Sequence, residues 1–138
     1  MQILICHDGS EASQSALDKC IALFGHLKPC MILVTVAEEP LDASSHVEES
    51  FEMWRAQREM ELRQAAERVT EHGLDVDAIL AVGDPRKMLM EAVRKKMPDL
   101  VVITSRPPKG GVRFGNVTVS ISDYLIHHIG DCPLLVMH

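Results

Sequence analysis

Aromatic residues are scarce: one tryptophan, one tyrosine and three phenylalanines make up 4% of the 138 residues. A core therefore has to be assembled from Val, Ile, Leu, Met and Ala. No run approaches the ~18 apolar residues of a membrane span, which argues against an integral membrane protein. An excess of positive charge is missing too. Twenty Asp and Glu outnumber fourteen Lys and Arg, leaving a formal charge of −6, the wrong sign for nucleic acid or an anionic membrane as the main partner. The four cysteines, at positions 6, 20, 30 and 132, include no Cys-x-x-Cys pair, and no Cys/His pair has the spacing of a zinc site, so no metal site is expected. Three lie within apolar runs, where reduced Cys packs as a small hydrophobe; buried free thiols in a reducing, cytoplasmic compartment are expected. Met1–Cys6 before His7-Asp8 is too short for a secretory leader.

What is present is a hydrophobic period that switches between short apolar runs and helical spacing. Ile3–Cys6, Met31–Val36, Leu100–Ile103 and Leu134–Val136 read as strands, and Val76, Ile79, Leu80 and Val82 mark a further one. Ala16, Leu17, Cys20, Ile21, Leu23 and Phe24 recur at helical spacing, with Gly25 at the expected C-cap. The acidic stretch from Ala37 to Ser50 reads as a loop, and Phe51, Trp54, Leu62, Ala65 and Val69 mark a long helix ending near Gly73. Asp84-Pro85 is an N-cap with proline at the first helical position. Ser120-x-x-Asp123 resembles a capping box for a last helix carrying Ile121, Leu125 and Ile129. Strands alternating with helices predict an α/β fold over residues 1–138 as one domain, with a five-stranded, mostly parallel sheet and helices on both faces.

In such sheets ligands bind beyond the carboxyl ends of the strands, where the strand order reverses. Two loops suit that position. After the first strand, Asp8 can accept hydrogen bonds from a base or ribose, Gly9 permits a tight turn and Ser10 can cap the next helix. His7 beside them either touches a ligand, senses pH or packs. After the fourth strand, residues 100–122 hold no Asp or Glu in a chain with 20 of them. Arg106, Lys109 and Arg113 fall in this window, and Gly110, Gly111 and Gly115 can expose backbone N–H groups. Together with the N-terminus of the following helix these form an anion site. His127 and His128 complement a helix C-terminus. The methionines mostly read as core; Met53, Trp54 and Met60 on the long helix read as amphipathic burial, with a partner-binding face as the alternative.

The order and spacing of these pieces resemble the universal stress protein family over essentially the full length. The matching segments are Ile3-Leu4-Ile5-Cys6-His7-Asp8-Gly9-Ser10-Glu11, Val82-Gly83-Asp84-Pro85, Pro98-Asp99-Leu100-Val101-Val102-Ile103, Ser120-Ile121-Ser122-Asp123-Tyr124 and Cys132-Pro133-Leu134-Leu135-Val136. The resemblance implies a Rossmann-like fold of the adenine nucleotide alpha hydrolase kind and a homodimer, often made through the last strands. It also implies ATP or AMP as ligand, with Mg²⁺ as a candidate companion, and no strong catalytic activity. On this match Asp8 and the backbone near Val36 meet the adenine, Gly83 lines the ribose side, and the loop after the fourth strand holds the phosphates. Candidates there are Arg106, Lys109, Gly110, Gly111, Gly115, Asn116, Thr118 and Ser120. Thr104 and Pro107 stand where the family's ATP pattern has glycine. One register puts Val119 at its third glycine, and another puts Gly115-Asn116 there.

Three readings follow. The first is a dimeric stress-response module that holds an adenine nucleotide and biases a surface for an unidentified protein partner. The second is the same fold without nucleotide, acting as an interaction scaffold. The third is a weak nucleotide-hydrolysing enzyme, disfavoured because the acid-free window supplies no metal-binding carboxylate.

Overall fold

The computed structural model describes residues 1–38, 45–104 and 121–137. Its elements are β1 (Gln2–Cys6), α1 (Glu11–Phe24), β2 (Cys30–Ala37), α2 (Ser45–Glu71), β3 (Val76–Val82), α3 (Pro85–Lys96), β4 (Leu100–Thr104), α4 (Ile121–His128) and β5 (Leu134–Met137). The strands pair in the order β3-β2-β1-β4-β5, every pair parallel. The fold is thus the expected α/β sheet, fully parallel rather than mostly so.

Alternation along β1 assigns the two faces. Ile3 and Ile5 pack with Leu17, Cys20 and Ile21 of α1 and Leu62, Ala65 and Val69 of α2. Leu4 points the other way, into a cluster with Leu89, Met90 and Val93 of α3 and Leu125 of α4. Ile3, Leu4, Leu17 and Leu125 are fully buried, and side chains of this size each contribute about 1.5–3 kcal/mol on burial. Few aromatics are needed because a parallel sheet covered on both faces is filled by branched aliphatics.

Several boundaries differ from the sequence reading. α2 begins at Ser45, six residues before Phe51, so the expected loop from Ala37 to Ser50 is corrected at both ends: Ala37 closes β2. Ser45–Ser50 carries no apolar stripe, and periodicity cannot flag a polar first turn and a half. Residues 39–44 lie outside the described residues. Gly25 does follow α1, but in right-handed geometry (φ −58°). The chain reverses instead at Lys28, whose φ is 52°. Gly73 ends α2 at φ +73°, as expected of a left-handed C-terminal glycine.

Asp84 caps α3 by accepting the Arg86 N–H at 3.0 Å, with Pro85 in the first helical turn. Its last turn carries Arg94, Lys95 and Lys96, the favourable end for cations. The Ser120 cap proposed for α4 lies outside the described residues. The reading of the methionines as core holds for Met31 and Met90 but not for Met53, Met60, Met97 and Met1, which are exposed. Met53 and Met60 stand on the solvent side of α2, where Met is tolerated as a good helix former. All four cysteines are free thiols; Cys20 is buried, while Cys6, Cys30 and Cys132 are only half-buried.

Candidate functional site

The sheet order reverses beside β1: β2 leaves it on one side and β4 on the other. At the carboxyl ends of these three strands lies a cleft of about 430 Å³, within the range of small-ligand sites. β1 contributes Cys6 and His7, β2 contributes Val34 and Val36, and β4 contributes Ile103 and Thr104. α3 adds Pro85 and Leu89 from beneath, and α4 adds Ile121 and Ser122.

The turn after β1 is held from within. Asp8 accepts the Ser10 N–H on Oδ1 at 3.0 Å. Ser10 caps α1 by accepting the Ser13 N–H at 3.1 Å, and the Ser13 hydroxyl donates to the Ser10 carbonyl at 2.9 Å. Gly9 adopts φ +81°, left-handed backbone that an L side chain resists. A Cβ there would also meet the Glu61 carboxylate of α2, which would have to swing aside.

His7 is 2% exposed. Its backbone is pinned on both sides: the N–H donates to the Val34 carbonyl at 2.9 Å, and its carbonyl accepts the buried Thr35 hydroxyl at 2.7 Å. Its Nδ1 accepts the Gly9 N–H at 3.2 Å, while Nε2 is buried without a hydrogen-bond partner among the described residues. Burial holds the imidazole below the usual histidine range; the Glu61 carboxylate opposes this and the Arg68 guanidinium adds to it. Of packing, ligand contact and pH response, left open by the sequence, the structure shows the packing, and it places the buried ring in the lining of the cleft.

Asp8, exposed, and Val36, half-buried, both line the cleft. Gly9, Ser10 and Gly83 shape its surroundings without lining it. Gly83 follows β3 at φ +145° and donates its N–H to the Ala37 carbonyl at 3.0 Å, so it ties the end of the edge strand β3 to its neighbour β2. Arg106, Lys109, Gly110, Gly111, Gly115, Asn116, Thr118 and Ser120 lie outside the described residues. Their segment nevertheless leaves from Thr104 and returns at Ile121 and Ser122, all at the cleft.

Sequence reasoning missed the contribution of α2. Trp54 and Arg58 line the same cleft, and Arg58 donates to the Asp8 carbonyl and to Glu61 at 2.8 Å. The one available signal was a lone tryptophan on a helix already supplied with aliphatic core residues. Among the described residues no group of three or more His, Cys, Asp or Glu is placed to hold a metal ion, and no helix is long and apolar enough to cross a membrane.

Residues 1–138 match the model of the universal stress protein family. Universal stress protein Sll1388 of Synechocystis is 26% identical, with 99% of this chain and 97% of that protein covered. The structure is similar to universal stress protein UspA from Lactobacillus plantarum, with a TM-score of 0.79 at 16% identity, covering 100% of this chain and 97% of the other. It is also similar to a universal stress protein family protein of Arabidopsis thaliana solved with AMP bound. That match has a TM-score of 0.75 at 15% identity and covers 99% and 90% of the two chains.

Proposed function

Since this chain belongs to the universal stress protein family, we propose that it is a non-catalytic, cytoplasmic stress-response module whose cleft holds an adenine nucleotide, AMP or ATP with Mg²⁺. One observation carries the reading. The cleft lies at the switch point of a parallel sheet, and both ends of the acid-free segment bearing Arg106, Lys109 and Arg113 open into it.

In this reading Asp8 and the end of β2 at Val36 receive the base, and Gly83 stiffens the outer edge nearby. The segment from Arg106 to Ser120 brings backbone N–H groups and cations to the phosphates, with Gly110, Gly111, Gly115, Asn116 and Thr118 as its small or hydroxyl-bearing positions. The AMP bound to the Arabidopsis relative supports the ligand class. For the dimer, β5 is the natural edge: among the described residues it pairs only with β4, and its four residues are all half-buried, leaving backbone groups open to a second copy. Occupancy would stabilise the domain and bias the surface presented to a protein partner.

A second reading, the nucleotide-free scaffold, draws on Thr104, which lines the cleft with a branched side chain at the position where the family's ATP pattern has glycine. Melting temperatures with and without millimolar AMP, ATP and Mg²⁺ decide between them. At 100-fold over Kd a ligand of the native state adds about 2.7 kcal/mol. An upward shift that is lost in Asp8→Ala and weakened in Lys109→Ala supports nucleotide binding. No shift with any nucleotide overturns it in favour of the scaffold.

A further inference from the structure

Trp54 is the chain's one tryptophan, and it stands half-buried in the wall of the cleft rather than in either core cluster. Its surroundings hold it there. The Arg58 guanidinium carbon lies over the indole, 5.2 Å from the ring centroid. The Phe51 ring packs beside it with centroids 6.3 Å apart and planes 53° apart. Arg58 is itself tied to the turn after β1 through the Asp8 carbonyl and Glu61. The indole is therefore attached, through one guanidinium, to the loop that carries Asp8.

A rigid π surface beside apolar Val36 and Ile103 suits a flat, heteroaromatic group, because stacking is strong and insensitive to ring substituents. Among the described residues α2 docks on the sheet through Leu62, Ala65 and Val69, a contact that does not use the indole. We infer that Trp54 is a specificity-determining residue that stacks on the ligand's base, with Arg58 positioning it; this rests on the cleft being a nucleotide site. The ligand class is then narrowed to molecules with a planar heteroaromatic ring, and a phosphosugar lacking the base would gain nothing from Trp54.

Because there is no second tryptophan, emission excited at 295 nm reports on this residue alone. AMP is titrated into the full chain while fluorescence is read, and binding is measured separately by calorimetry; ribose 5-phosphate serves as the base-free control. Stacking predicts quenching that saturates with the calorimetric isotherm. It also predicts at least about fivefold weaker AMP binding in Trp54→Ala, near-native binding in Trp54→Phe, and ribose 5-phosphate binding unchanged in both variants. Circular dichroism and melting of each variant check the fold, and Trp54→Phe keeps the test open should Trp54→Ala fail to fold. AMP bound calorimetrically with no change in Trp54 emission, or with affinity for Trp54→Ala within twofold of the native chain, overturns the inference while leaving the nucleotide reading intact. No calorimetric AMP binding to the native chain overturns both.

Discussion

Nδ1 of His7 accepts the Gly9 N–H at 3.2 Å, and that bond fixes the tautomer of a buried ring: the proton of the neutral imidazole resides on Nε2. A second proton would have to enter at Nδ1, where it would face an N–H instead of a lone pair. Protonation therefore opposes the turn that presents Asp8.

The pH dependence follows from the depressed pKa of His7, caused by burial first, with Glu61 raising it and Arg68 lowering it further. The unfolded chain takes up this proton near pH 6.5, whereas the folded ring resists it. The unfolded state thus binds more protons just below that pH, so stability falls as the solution is acidified through this range and is fully retained above it. Melting curves of the native chain and His7→Val between pH 5 and 8 should converge in slope above about pH 7 and diverge below 6.5. Parallel curves throughout would remove His7 from the acid response.

Gly9→Ala combines a positive φ of 81° with a Cβ that meets the Glu61 carboxylate. The carboxylate can swing away, but only by giving up its 2.8 Å pair with Arg58. A loss of about 1–3 kcal/mol is expected, read as a lower urea midpoint at unchanged m. A neutral substitution would mean that α2 does not approach this turn closely in solution.

Asp84→Ala removes the acceptor for the Arg86 N–H at 3.0 Å and the carboxylate 3.7 Å from the Arg86 guanidinium. The lost cap should lower stability by about 1 kcal/mol. Asp84→Asn, which keeps a capping oxygen, should recover most of it. Equal losses in both would place the effect in the exposed ion pair, contrary to its weakness at the surface.

Thiol chemistry should sort the cysteines. Burial pushes Cys6 up to about 12 and Cys20 up to about 11, leaving almost no thiolate at pH 8. Alkylation with iodoacetamide followed by peptide mapping is expected to mark Cys30 and Cys132 first and Cys20 last. Early labelling of Cys20 would show that α1 opens from the sheet.

The alternation of apolar runs and helical stripes made the α/β order legible, because the central strands β1, β2 and β4 are buried on both faces and the helices on one. The β1 turn was legible for a local reason: Asp8, Gly9 and Ser10 act within their own four residues. Trp54 and Arg58 were not, since their role depends on α2 reaching across to Asp8, 50 positions away for Arg58, and no local pattern encodes that distance. The start of α2 escaped because the sequence of its first residues, Ser45–Ser50, carries no apolar stripe. The exposed methionines at 53 and 60 were misread because hydrophobic character alone does not say which side of a helix meets the sheet.

The position of β1 at the centre of the sheet has a consequence for how the chain is made. Its first partner, β2, arrives within about thirty residues, with Gln2 opposite Cys30. Its second partner is β4, and the Gln2 N–H finds the Asp99 carboxylate across 97 residues. No hairpin shortens that wait, since parallel neighbours are joined only by crossovers. On a ribosome, the strand at the heart of the finished domain waits with one edge unpaired while the 97 positions from Gln2 to Asp99 are translated. Long-range closure of this kind slows folding, and an open apolar edge invites aggregation. The interval between translation of β1 and of β4 is thus the protein's most vulnerable period.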